Sequence, residues 1–156
     1  MRQAVNRAVS VQSDGTRSPV AAARLAELSK RVLAAQRVPR ALLSVTMVTA
    51  RAMARLNREH LGHRGATDVI TFSLTAPDAA TEAVVADIYI CPDVARLQAR
   101  AHGAGVREEL ARLVIHGTLH ACGWEHPEDE GRMTSPMWRR QEQLLKRFWT
   151  ASTPRA

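Results

Sequence analysis

Residues 106–126, VREELARLVIHGTLHACGWEH, read as a long helix with three histidines in the eleven residues at its far end. Leu110, Leu113, Val114 and Leu119 fall on or near one face, the spacing of a helix that buries a stripe. Positions four apart on a helix differ by only about 40° in direction and about 6 Å in rise, so His116 and His120 project together. Gly123 accepts a left-handed backbone without steric cost; it ends the helix and returns the chain so that His126 comes back toward the same point. Three neutral imidazoles with no thiolate at their focus describe a tetrahedral Zn²⁺ with one open position, one ion per chain, as in catalytic sites. Such an ion lowers the pKa of water from 15.7 to about 7, which implies hydrolysis or phosphoryl transfer. Cys122, about 200° round the helix from His120, is expected to pack inward rather than complete the ligand set.

The spacing also matches the protease pattern H-E-x-x-H-x-x-G-x-x-H, Gly123 included. In that pattern the residue after the first histidine is the general base. Here it is Gly117, with no side chain to move a proton, which weakens a metallopeptidase reading without removing it as an alternative.

Outward from this helix, residues 3–12 read as a weak first strand ended by the turn SDGT at 13–16. Ser18 and Pro19 open a helix with Ala23, Leu25, Leu28, Val32 and Leu33 at helical spacing, closed by Val38 and Pro39. ALLSVTMVT (41–49) alternates as a half-buried strand, and a short helix follows at 50–60. LGHRGA (61–66) is a loop leading into the strand TDVITFSL. A polar connection at 75–83 then joins it to VVADIYI (84–90), an antiparallel pair. The helix after Pro92 stops at Gly103 and Gly105. In the last segment Met133, Met137, Leu144, Leu145 and Phe148 are candidate core contacts, with a helix start or kink at Pro136. This order predicts an α+β fold: a small mixed four-stranded sheet packed against helices, with the zinc site at the end of a long helix in the C-terminal half. Residues 1–149 make one metal-hydrolase domain and 150–156 a flexible tail.

All but two of the 22 basic residues are arginine, against 15 acids, for a net charge of +7. A polyanionic partner fits this balance, although an arginine skew can also reflect base composition. Two cysteines are too few for a disulfide scaffold and fit a reduced cytoplasm. No segment reads as a signal peptide or a membrane span.

VIHGTLHACGWEHPEDEGRM and ARLNREHLGHRGATDVITFSL together resemble the YbeY family of metal-dependent endoribonucleases, over most of residues 40–149. His116, Gly117, Leu119, His120, Gly123, Trp124, Glu125 and His126 meet its C-terminal signature. Leu56, Asn57, Thr67, Asp68 and Val69 meet its L-N and T-D-V elements, and Asp87 and Ile88 its G-D-I strand, with Ala86 for glycine. The resemblance implies a three-histidine zinc site with His116, His120 and His126 as ligands and single-stranded RNA as substrate. It also implies a role in rRNA maturation and ribosome quality control in the cytoplasm. The family's phosphate-directed arginine aligns with Leu61; Arg64, three residues on, is the candidate to replace it, and Ser73 stands where relatives carry proline. Glu125 reads either as a proton carrier beside the metal or as a solvated acid in a turn. Asp68 and Asp87 each read as starting a strand and capping a loop. Trp124 reads as a base-stacking platform or a lid residue. Arg96, Arg100, Arg107, Arg112, Arg139, Arg140, Lys146 and Arg147 track a phosphate backbone only if they share a face. The remaining alternative is a non-catalytic, ribosome-associated RNA-binding protein with structural zinc.

Overall fold

The computed structural model describes residues 4–75 and 83–150. Four strands, β1 (Asn6–Asp14), β2 (Arg40–Val48), β3 (Val69–Ser73) and β4 (Ala83–Ile90), form one sheet in the order β1-β2-β4-β3. The first two pairings are parallel and the last is antiparallel, so the sheet is mixed. The helices are α1 (Ala22–Ala35), α2 (Ala50–Leu56), α3 (Pro92–Ala101), α4 (Val106–Ala121) and α5 (Pro136–Leu145). None is long and apolar enough to cross a membrane. The α+β architecture with a four-stranded mixed sheet agrees with the sequence reading.

Alternation in β2 sends Ala41, Leu43, Val45 and Met47 into the main core and leaves Leu42 exposed. Ala86, Ile88 and Ile90 of β4 point the same way, against α4, while α1 packs on β1 and α4, and α5 closes the far side of α4. On the other face of the sheet Val48, Met53, Ile70 and Cys91 form a smaller cluster under α2. α4 runs through the middle of the molecule. It is buried well beyond the single expected face, because α1, α3, α5, β3 and β4 all pack on it. Gly117 faces the sheet, against Ile88 of β4 and Thr71 of β3. A Cβ there would lie 2.8 Å from Ile88 Cγ2, so glycine is needed for the approach.

Several expectations change. α1 begins at Ala22, because the Ser18 hydroxyl bonds Val20 in a separate turn; it ends at Ala35, with Arg37 at φ 58° turning the chain before Val38 and Pro39. Asp87 sits in the middle of β4, opposite Phe72 of β3, and starts no strand. Met133 is 63 % exposed in a 3₁₀ turn (Glu130–Thr134) and makes no core contact, whereas Met137, Leu144 and Leu145 are buried. Pro136 starts α5 without kinking it, at the first position, where its missing N–H costs nothing; Ser135 caps the helix by accepting from Trp138 N–H. The β3–β4 connection at 76–82 and the tail beyond residue 150 lie outside the described residues.

Candidate metal centre and cleft

α4 ends as its sequence predicts. Gly123 takes φ +98°, its N–H donates to His120 O at 2.9 Å, and Trp124 N–H reaches back to Leu119 O at 3.1 Å, closing the last turn and reversing the chain. One ligand atom from each of His116, His120 and His126 lies within 4.8 Å of the other two. In each ring Nδ1 meets an oxygen that can only accept: Gln141 Oε1 for His116 (2.7 Å), Trp124 O for His120 (2.8 Å) and Pro127 O for His126 (2.8 Å). Nδ1 therefore carries the proton in all three, and each Nε2 holds a bare lone pair. The Nε2 atoms of His116 and His126 stand only 3.3 Å apart. Two lone pairs facing at that distance repel unless a cation lies between or beside them, so the donor set fits a metal ion, which these three residues could hold.

Burial adds to this. His116 is 4 % exposed, and desolvation drives its pKa down to about 3 against the pull of the Gln141 hydrogen bond, with His120, Arg132 and His126 adding repulsion. Burial lowers His120 as well, again with His126 and Arg132 opposing its charge. Both rings are thus held neutral, as ligands must be. Cys122 is packed against the core, and burial pushes its thiol up to about 11, consistent with the inward packing expected of it.

The histidines floor a cleft of about 680 Å³. β3, at the sheet edge, supplies one wall through Val69 and Thr71. The loop after α2 supplies another with Leu61 and His63, held by buried Asn57, whose Nδ2 donates to Gly65 O at 2.9 Å. Trp124, half-buried against the core, and exposed Glu125 line the cleft beside the third histidine. Arg64 is exposed in the loop and is not among the lining residues; neither are Arg96, Arg100, Arg107, Arg112, Arg139, Arg140, Lys146 and Arg147. Asp68 closes on its own strand, accepting from Val69 N–H at 2.8 Å, while Asp87 lies away from the site.

Two residues matter that the sequence reading passed over. Gln141 orients His116, and a signal for it existed: it is a polar side chain in the buried stripe Met137, Gln141, Leu144. Among the described residues Arg132 is the one arginine or lysine that lines the cleft, and no sequence pattern marks it.

A sequence profile for Endoribonuclease YbeY matches residues 10–149. The Endoribonuclease YbeY of Frankia casuarinae is 40 % identical over 150 residues, 88 % of this chain and 73 % of that one. That of Parafrankia sp. is 36 % identical over 138 residues, covering 82 % and 86 %. The solution structure of the Thermotoga maritima protein TM1509 superposes with a TM-score of 0.60 at 25 % identity, covering 92 % of this chain and 90 % of that one. With its signature histidines gathered at the end of a buried helix, the chain belongs to the YbeY endoribonuclease family.

Proposed function

We propose that this protein is a zinc-dependent endoribonuclease that cuts single-stranded RNA, working in rRNA maturation and ribosome quality control in the cytoplasm. One observation carries the reading: three imidazoles whose Nδ1 protons are all committed to acceptors, so that their Nε2 lone pairs converge at the floor of an open cleft. His116, His120 and His126 would hold the ion. A zinc ion held by these three nitrogens would supply a Lewis acid and acidified water at neutral pH. The chain's own part is to keep the rings neutral by burial, hold their orientation through Gln141 and two backbone carbonyls, and offer an extended wall along β3. Trp124 provides a π-face at the rim for an unpaired base. A peptidase is disfavoured by packing as well as by residue type. The position after His116 faces Ile88 and Thr71 at van der Waals distance or closer, leaving no room for a glutamate.

The test is zinc analysis of the pure protein together with cleavage of an end-labelled single-stranded RNA by wild type and His120→Ala. One zinc per chain and cleavage abolished in the variant are expected. Zinc-loaded protein that leaves the RNA intact overturns the reading, and digestion of casein would point to the peptidase.

A further inference from the structure

Behind the histidines a second cavity of about 460 Å³ opens between α3, α4 and α5, walled by Gln98, His102, Leu113, Met133 and Trp138. Asp68, His116 and Arg132 line both this cavity and the cleft, so the two spaces adjoin and Arg132 stands at the junction. Its backbone is pinned. The carbonyl of Arg132 accepts from Ser135 Oγ at 2.7 Å and Ser135 N–H at 3.2 Å, and Asp129 Oδ1 accepts from Gly131 N–H just before it.

The guanidinium, in contrast, has a donor left over. Its Nε is buried with no hydrogen-bond partner, and among the described residues it forms no ion pair, although Glu125 and Glu128 line the same cleft. The other arginine beside the second cavity behaves differently: Arg112 is saturated by Glu108, Glu109 and Glu142. A buried cationic N–H without an acceptor is costly, and a guanidinium presents a fork that matches two oxygens of a phosphate. The exposed Met133 and half-buried Trp138 give the second cavity an apolar wall of the kind on which a base stacks, with Gln98 and His102 as polar edges.

Building on the endoribonuclease reading, we propose that Arg132 is the phosphate-binding residue of this site. It grips an RNA phosphodiester at the junction, so that the strand on one side lies over the histidines and the adjoining nucleotide enters the cavity beside Trp138 and Met133. The arginine aimed at the phosphate thus comes from the turn after the third histidine, because Leu61 brings no charge to the cleft and Arg64 stands outside it.

The test uses zinc-loaded wild type, Arg132→Ala, Arg132→Lys, Trp138→Ala and, as a control outside both cavities, Arg96→Ala. Binding of a labelled single-stranded 2′-O-methyl oligonucleotide is followed by anisotropy at several salt concentrations, and KM and kcat are measured on the cleavable RNA. Arg132→Ala is expected to weaken binding about tenfold or more and to reduce the slope of log affinity against log salt by about 0.7, the contribution of one single-strand phosphate contact. Arg132→Lys should restore the slope but not the full affinity, since it keeps the charge and loses the fork. Trp138→Ala should weaken binding about tenfold with the slope unchanged, because stacking releases no counterions. A folded Arg132→Ala, or failing that a folded Arg132→Lys, with wild-type affinity, salt slope and KM overturns the proposal while the nuclease reading stands on the wild-type cleavage. Arg132-dependent binding by a wild type that cuts no RNA would remove the nuclease reading and support the phosphate site.

Discussion

Gln141 is the smallest unit on which the metal centre depends. Its Oε1 accepts the His116 Nδ1 proton, and its Nε2 donates to Glu142 Oε2 at 3.1 Å, which fixes which end of the amide faces the ring. Gln141→Leu keeps the volume and removes the acceptor, so zinc affinity should fall about 10- to 100-fold, measured by competition with a chromophoric chelator. His116 itself makes the metal-free protein acid-sensitive. Folded His116 stays neutral down to about pH 3, whereas the unfolded ring takes a proton near 6.5. Its stabilising contribution is therefore complete above pH 6.5 and lost as pH falls from 6.5 toward 3. By pH 5 the loss should reach about 2 kcal/mol, seen in urea unfolding of metal-free wild type and much reduced in His116→Gln. Gly117 is constrained from the sheet side. Gly117→Ala forces a methyl group to within 2.8 Å of Ile88 Cγ2, and thermal unfolding should show a loss of roughly 1–3 kcal/mol as α4 is pushed from the sheet.

Between elements, the contact that sets the site is α4 against α5. Arg112 on α4 makes a two-pronged bond to Glu142 on α5, with Nε to Oε2 at 3.0 Å and Nη2 to Oε1 at 3.0 Å, while Nη1 holds Glu109 at 2.8 Å. Burial alone would depress the guanidinium, but the carboxylates of Glu142 and Glu109 outweigh it and raise its pKa. The same Glu142 carboxylate steadies Gln141, so a line of contacts runs from Arg112 through Glu142 and Gln141 to His116. Arg112→Ala leaves Glu109, 9 % exposed, without its cation. Stability should drop by roughly 2 kcal/mol, less than for a fully buried pair because Glu142 is a third exposed. Zinc affinity should drop with it, and chelator competition separates this from a change confined to folding.

At the scale of the whole molecule, metal binding and folding are expected to be coupled, because the three histidines that could hold an ion come from one helix and the segment that returns from it. Zinc bound to the folded chain should raise Tm in proportion to the logarithm of its free concentration, and a chelator should reverse the rise. In His126→Ala the dependence should largely vanish while the metal-free Tm changes little, since His126 lies at the surface end of the cluster.

Much of this was written locally. The i, i+4 histidines, the left-handed Gly123, the alternation of β2 and the apolar stripe of α5 depend on nearest-neighbour geometry, so the chain by itself determined the α+β class, the three histidines that converge and the helix that carries them. What lay beyond local reach was whatever two distant segments decide together. Asp87 falls mid-strand because β4 pairs with β2 from Ala83 onward, and Met133 is exposed because the 3₁₀ turn before α5 in which it sits buries none of its residues. Gly117 reads in sequence as a missing base, but in the fold it lets a helix lie close against Ile88 and Thr71 of the sheet. Only tertiary packing assigned Gln141 to His116 and brought Arg132 to the junction of two cavities, because an arginine's role follows from which acceptors surround it, and those are brought there by other parts of the chain.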